Sequence, residues 1–213
     1  QWEKTLELLN RMETQGVESS LWAFNAHLRA LSRAAANPNN NSTVWEQGLR
    51  VVDMLEERGL MPTPITYVEL IRLFSADKKW EMALEFLDLY ESDTDAIEAG
   101  KTIADSQNLL TQAYGAAIDS CFKNGLWERA LQLASRMSKK GVEQNQYYRE
   151  LMLRGLASSR QWAQAVEKFE EMKKTVKPTE AMFVSVVSAL EKAGKKKMAT
   201  KYYEMSLHEL GLK

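Results

Sequence analysis

AYGAAIDSCFKNGLWERALQLASRMSKKGVEQN, residues 113–145, has the pattern of two helices joined by a short turn. In its second half the apolar residues recur every three or four positions, as they do on one face of a helix: Trp127, Ala130, Leu131, Ala134 and Met137. Gly141 follows at the point where a left-handed residue would end this helix. The stretch therefore predicts a pair of antiparallel helices.

Five related phrases, each opened by a tryptophan, divide the chain into repeats. They begin at Trp2, Trp45, Trp80, Trp127 and Trp162. The spacings of 43, 35, 47 and 35 residues indicate a unit of 35 with insertions of 8 and 12. A second landmark supports this unit, because Tyr67 and Tyr114 each precede a tryptophan by 13 residues. A last unit, with Phe183 at the aromatic position, follows the fifth tryptophan.

These landmarks predict an all-α fold, a right-handed α-solenoid of stacked helix-turn-helix repeats of about 35 residues. The expected parts are a half repeat at 1–20, a repeat with an insertion near 35–43 at 21–63, a repeat with an insertion near 91–105 at 64–110, and repeats at 111–145, 146–179 and 180–213. The half repeat lacks a first helix, so we expect the start of the chain to continue into further repeats or to dock on a partner.

The sequence contains few residues or motifs that are typical of an enzyme active site. The two histidines, His27 and His208, lie far apart, and Cys121 is the single cysteine, which excludes an intramolecular disulfide. No GxxxxGK[ST] phosphate-binding motif occurs, and no apolar run reaches the roughly 18 residues of a membrane span. We predict no enzyme activity, no cofactor, no metal site, no small-molecule substrate and no membrane span.

The order of landmarks in each unit resembles the pentatricopeptide repeat: an aromatic in the first helix, a second helix of the form A-L-x-L-x-x-x-M, then G-V or G-L and a proline. The resemblance implies binding of single-stranded RNA in a mitochondrion or plastid, with about one base read per repeat. In that family the reading residue follows the first-helix aromatic and works with the last residue of the repeat. The first residues of these pairs are Asn25, Val68, Gly115, Glu150 and Val184, and the last residues that can be placed are Thr63, Asn145 and Thr179. Asn25 with Thr63 is the pair best able to bind a base edge.

Charge is distributed unevenly along the chain. The whole sequence has a net charge of −1, but residues 1–110 hold 10 Lys and Arg against 18 Asp and Glu, and residues 111–213 hold 18 against 11. An RNA backbone would therefore meet the C-terminal half. The candidate phosphate contacts there are Lys123, Arg154, Lys192, Lys195, Lys196 and Lys197. The acidic side chains of residues 91–98 would repel RNA and suit a basic protein instead.

Two functions from different classes remain open at this point. The first is an RNA-binding protein for organelle transcripts or ribosomal RNA, in which Trp22 and Tyr147 could stack on bases. The second is a protein–protein scaffold, a subunit of a large organelle complex in which the RNA-reading positions have degenerated. The nonpolar Val68 and Val184 and the acidic N-terminal half favour the scaffold.

Overall fold

A computed structural model of the chain describes residues 2–17, 19–37, 44–97 and 103–211, and every regular element in them is an α-helix. The helices are α1 (Trp2–Thr14), α2 (Leu21–Ala35), α3 (Trp45–Glu57), α4 (Pro64–Ala76), α5 (Trp80–Ile97), α6 (Ile103–Lys123), α7 (Trp127–Lys139), α8 (Gln146–Ser158), α9 (Trp162–Lys173), α10 (Glu180–Lys192) and α11 (Lys196–Glu209). Within the described ranges, none of the helices has the length and apolar character that crossing a membrane requires.

The even-numbered helices α2 to α10 are the first helices of the predicted repeats, and the odd-numbered helices α1 to α11 are the second helices. Glycines end three of the second helices, as predicted, because Gly16, Gly59 and Gly141 adopt φ angles of +68°, +62° and +69°. A side chain at this angle is disfavoured because its Cβ crowds the neighbouring carbonyl. The predicted helix ends at these glycines are confirmed.

The chain is divided into two compact units, Gln1–Ser120 and Cys121–Lys213, here called unit 1 and unit 2. In unit 1, α4 packs against both α2 and α5. The buried side chains between these helices are aromatic and aliphatic, and Phe74 lies 5.1 Å from Phe86 between ring centroids. On α4 the side chains of Tyr67, Leu70, Ile71 and Phe74 are all buried.

In unit 2, α10 packs against α8, α9 and α11. The Phe169 ring lies 5.0 Å from the ring of Phe183 and 5.6 Å from that of Tyr202, so three helices share one aromatic contact. Gly155 allows a close approach within this unit, because a Cβ built there would lie 2.2 Å from the Phe122 ring. Burial of these groups is the main force that holds the helices together.

Two of the tryptophans that open second helices, Trp45 and Trp162, contact residues outside their own helices. Trp162 lies against a buried cluster that includes Leu156 and Ala189. Two tryptophans are also covered by a lysine that directly precedes the next second helix. The Lys79 ammonium lies 4.7 Å from the Trp45 ring centroid and that of Lys195 lies 5.0 Å from the Trp162 centroid, both within cation–π range.

The second predicted insertion lengthens two helices. Helix α5 has 18 residues and α6 has 21, whereas α7 has 13. Helix α6 accordingly begins at Ile103, upstream of the predicted start of the next repeat at 111. Most of the predicted first insertion, residues 38–43, lies outside the described residues.

The acidic stretch at the end of α5 begins with carboxylates that have partners inside unit 1. The Tyr114 hydroxyl donates a hydrogen bond to the buried Glu91, and the Tyr67 hydroxyl donates one to Asp93. Burial, together with the Asp93 carboxylate, raises the pKa of Tyr67 far above its ordinary value, so the phenol keeps its proton. The expectation that Glu91 presents its charge to a partner is therefore wrong. The side chain of Asp95 and all of Glu98 lie outside the described residues.

Candidate nucleic-acid interface

In four of the first helices the second, fifth, ninth and thirteenth residues form one face, and the exposure of its side chains ranges from buried to largely exposed. The spacings of three and four residues place these side chains in one row along a helix. In α6 the equivalent residues follow from the position of Tyr114. The members of this first-helix face are Trp22, Asn25, Arg29 and Arg33 in α2; Ile65, Val68, Arg72 and Ala76 in α4; Gln112, Gly115, Asp119 and Lys123 in α6; Tyr147, Glu150, Arg154 and Ser158 in α8; and Ala181, Val184, Ser188 and Lys192 in α10.

The second residue of the first helix is an exposed apolar side chain in three helices. Trp22 is 79% exposed, Tyr147 is 60% exposed and Ile65 is 42% exposed. Large aromatic side chains are normally buried, so two of them in equivalent exposed positions indicate a surface that has a binding partner. Trp22 and Tyr147 are among the residues predicted from the sequence, and Ile65 is not.

The side chain of the residue before the helix caps three of the first helices, α4, α8 and α10. Asn145 Oδ1 accepts a hydrogen bond of 2.9 Å from the Tyr148 amide, and Thr179 accepts one from the Met182 amide. Thr63 forms a reciprocal capping box with Thr66. Side-chain caps of this kind each contribute about 0.5–2 kcal/mol of stability. Thr63 and Asn145, predicted as RNA contacts, therefore have a structural role at the edge of the first-helix face.

The fifth residues, predicted to read bases, differ widely in exposure. Val184 is 59% exposed, whereas Val68 is 1% exposed and Asn25 is 9% exposed. The buried Asn25 Oδ1 has no hydrogen-bond partner within the described residues. Glu150 is held in place, because its Oε1 accepts hydrogen bonds of 2.9 Å from Thr179 Oγ1 and 3.0 Å from Gln146 Nε2. The predicted reading positions are thus mostly buried, apolar or already hydrogen-bonded.

The ninth residues are arginines in α2, α4 and α8. In unit 1 the buried Glu69 carboxylate partly neutralises two of them: its Oε1 lies 2.9 Å from both Nε and Nη2 of Arg29, and 3.6 Å from Nη1 of Arg72. In unit 2, Arg154 is exposed and makes neither a hydrogen bond nor an ion pair with the described residues. Of these arginines only Arg154 is predicted from the sequence, although Arg29 follows Trp22 by the same seven residues that separate Arg154 from Tyr147.

The lysines predicted to contact phosphates lie at the ends of two first helices and at the start of α11. Lys123 and Lys192 are exposed and end α6 and α10, where a cation also interacts favourably with the helix dipole. Lys195, the residue before α11, lies over the Trp162 ring, and Lys196 and Lys197 are exposed in the first helical turn. Cations at a helix start oppose the dipole, so this end of α11 favours an anionic ligand.

Charge divides along the same boundary as the two units. Residues 1–120 contain 10 Lys and Arg against 19 Asp and Glu, a net charge of −9. Residues 121–213 contain 18 against 10, a net charge of +8. A polyanion would therefore be attracted to unit 2 and repelled by unit 1.

The groups most often used in catalysis are buried or distant from one another. His27 is buried and its Nδ1 lies 2.6 Å from Thr5 Oγ1, and burial lowers its pKa. Burial raises the pKa of the Cys121 thiol to about 11, so it stays protonated and unreactive. Among the residues that the structure describes, no three His, Cys, Asp or Glu side chains are grouped so that they could hold a metal ion. The absence of enzyme activity stays a prediction.

Comparison with known families identifies two repeats. The sequence pattern of the PPR repeat, the pentatricopeptide repeat, matches residues 112–142 and 151–174. The first match covers residues 113–142 of the stretch 113–145 that carried the resemblance. The sequence matches none of the curated proteins.

Several solved structures resemble the fold. The maize protein PPR10 in complex with an 18-nt psaJ RNA element is 19% identical over 91% of this chain and 26% of that chain, with a TM-score of 0.68. The PPR domain of Arabidopsis thaliana protein-only RNase P 1 in complex with tRNA is 14% identical over 89% of this chain and 90% of that domain, with a TM-score of 0.65. Arabidopsis thaliana protein-only RNase P 2 is 13% identical, over 89% of this chain and 38% of that chain, with a TM-score of 0.69.

At these identities the structural matches establish the fold alone, and the chain spans about a quarter of the length of PPR10. The predicted all-α fold of helix-turn-helix repeats is confirmed by them and by the helices themselves.

Proposed function

This chain is a pentatricopeptide repeat protein, and we propose from that premise that it binds single-stranded RNA on the first-helix face, with unit 2 providing most of the affinity. The observation that carries this proposal is the pairing of an exposed aromatic with an arginine two turns further along the same helix. Tyr147 and Arg154 form this pair on α8, and Trp22 and Arg29 form it on α2. An aromatic ring stacks on a base, and a nearby cation attracts the phosphates on either side.

Binding on this face depends more on stacking and on the RNA backbone than on base edges. Val68 and Val184 have no polar group, and the Glu150 carboxylate is committed to two hydrogen bonds. Stacking tolerates every base because each base has a π-face. We therefore infer a modest sequence preference, because Asn25, the polar residue predicted to read a base edge, is buried.

The same proposal places the protein in a mitochondrion or plastid, where it would bind organelle transcripts or ribosomal RNA without catalysing a reaction. Its support is the family and the solved relatives that hold RNA, PPR10 with an RNA element and protein-only RNase P 1 with tRNA. Cys121 and His27 are both buried.

A second candidate is a scaffold that binds another protein through unit 1. The observations that favour it are the net charge of −9, the burial of Val68 at a reading position, and the partial neutralisation of Arg29 and Arg72 by Glu69. A basic protein surface would suit unit 1 better than a phosphate backbone would.

The test is fluorescence anisotropy with a labelled single-stranded RNA of mixed sequence, titrated at several salt concentrations. Tyr147→Ala should weaken binding about 5- to 150-fold, the equivalent of roughly 1–3 kcal/mol for one stacked base. Tyr203→Ala is the matched control, because Tyr203 is equally exposed (56%) but belongs to the second helix α11. Equal affinities for the two variants, or no binding by the unaltered protein at low salt, would contradict the proposal and favour the scaffold.

A further inference from the structure

Two basic residues adopt a backbone conformation that suits glycine. Lys78 and Arg160 both have φ of 59°, and they are the non-glycine residues with positive φ in the described part of the chain. Each lies in the tight turn that joins a first helix to its second helix, two residues before that second helix begins. Gly125 and Gly194 occupy the same place in two other repeats, with φ of +75° and +71°.

Nothing in the packing explains why a long side chain is present at these turns. Lys78 and Arg160 are exposed, and neither side chain makes a hydrogen bond, ion pair or ring contact with the described residues. At the glycine turns a Cβ would meet no atom within 4 Å, so the turn itself leaves room for a side chain and only the backbone angle opposes it. A residue that adopts an unfavourable backbone angle and whose side chain has no partner within the fold indicates a role outside the fold.

The sequence around the four turns shows what that role is. Where the turn carries glycine, the thirteenth residue of the face is a lysine, Lys123 or Lys192. Where that residue is uncharged, Ala76 or Ser158, the left-handed turn residue is basic instead. Every one of these four turns thus presents one exposed cation, at the helix end or two residues beyond it.

We propose that Arg160 and Lys78 are phosphate contacts of the RNA backbone, each taking the place of the helix-ending lysine found in the other repeats. The inference rests on the proposed function and extends the binding surface from the first-helix face to the turn. Arg160 is the stronger case, because unit 2 has a net charge of +8 and residues 158–162 contain no carboxylate. Lys78 follows Asp77, whose Oδ2 accepts a hydrogen bond from the Trp45 amide.

The experiment compares Arg160→Gly with Arg160→Lys and with the control Lys174→Ala, in which an exposed cation at the far end of a second helix is removed. The readouts are the slope of log K for RNA against log salt concentration and the Tm. Arg160→Gly should reduce the slope by about 0.7, the value for one phosphate contact to a single strand, whereas Arg160→Lys should keep it. The Tm of Arg160→Gly should stay constant or rise by up to about 3 °C, because glycine relieves the left-handed angle.

Two results would overturn the inference while the proposed function survives. One is an equal slope for Arg160→Gly and Lys174→Ala, and the other is a fall in Tm for Arg160→Gly, which would assign Arg160 to the fold. Failure of the unaltered protein to bind RNA is a different outcome and contradicts the proposed function itself. Adding Lys78→Gly to Arg160→Gly should remove a further slope of about 0.7.

Discussion

Substitution of Gly155 by alanine tests how closely α8 approaches the Phe122 ring in unit 2. Gly155 lies in the interior of α8, where alanine would ordinarily stabilise the helix by about 1 kcal/mol. A Cβ at this position, however, would lie 2.2, 2.4 and 2.5 Å from three atoms of the Phe122 ring. Carbon atoms pack at about 3.5–4.0 Å, so the ring and the helix that carries it would have to move.

The size of the effect follows from these two opposing terms. Overpacking of a filled core destabilises by about 1–3 kcal/mol, and the upper part of this range applies because three atoms of a rigid ring are affected. After the gain in helix propensity is subtracted, we expect Gly155→Ala to lower the free energy of unfolding by about 1–2 kcal/mol.

Gly48 provides the matched comparison. It also lies inside a helix, α3, and a Cβ there would lie 2.4 Å from Leu73 Cδ2, but the next atom is 3.6 Å away. Because the end of a leucine side chain can rotate aside, Gly48→Ala should be neutral or stabilise by up to about 1 kcal/mol.

Urea unfolding followed by far-ultraviolet circular dichroism measures both variants. A Gly155→Ala protein as stable as the Gly48→Ala protein would show that α8 and the Phe122 ring are not in close contact. Phe122→Leu combined with Gly155→Ala should show favourable coupling, since the smaller side chain leaves room for the new methyl group.

Three further predictions concern a helix end, a buried histidine and the start of α11. Gly141→Val should lower the free energy of unfolding by more than about 1 kcal/mol, because φ is +69° there, and a neutral effect in urea unfolding would contradict the helix-end assignment. Burial lowers the pKa of His27 below 6.5, so the stability that the neutral imidazole contributes is complete above pH 6.5 and is lost as the pH falls below that value. His27→Gln should therefore make the free energy of unfolding in urea less dependent on pH below 6.5. The same pH dependence in the variant and the unaltered protein would exclude His27 as its source. The double substitution Lys196→Glu and Lys197→Glu should raise the free energy of unfolding by about 0.3–1 kcal/mol per residue, because carboxylates interact favourably with the start of a helix. The same double substitution should weaken RNA binding. An RNA affinity unchanged in anisotropy titrations would show that neither lysine contacts RNA.

The helices and their ends were largely predictable from the sequence. Tryptophan spacing, glycine position and apolar periodicity are local properties, and each reports directly on backbone conformation. The structure of the second insertion was not predictable, because the same 12 residues could form a loop or lengthen α5 and α6. The hydrogen bonds from Tyr67 and Tyr114 go to carboxylates in the last turns of α5, so they depend on that lengthening.

The candidate site was predictable only in part, because exposure depends on packing between repeats. The positions of Trp22 and Tyr147 follow from the repeat, but the burial of Val68 and Asn25 does not. The Glu69 carboxylate between two arginines joins residues about 40 positions apart, and the sequence contains no local signal for it. The left-handed angle of Arg160 was missed because basic residues rarely adopt it.

Ultraviolet crosslinking of the protein to single-stranded RNA, with the adducts mapped by mass spectrometry, would locate the interface directly. RNA bound as proposed should crosslink to the exposed aromatics of the first-helix face, Tyr147 in unit 2 and Trp22 in unit 1, with stronger labelling in unit 2. Absence of adducts, or adducts confined to second helices such as α11 at Tyr203, would contradict RNA binding on this face.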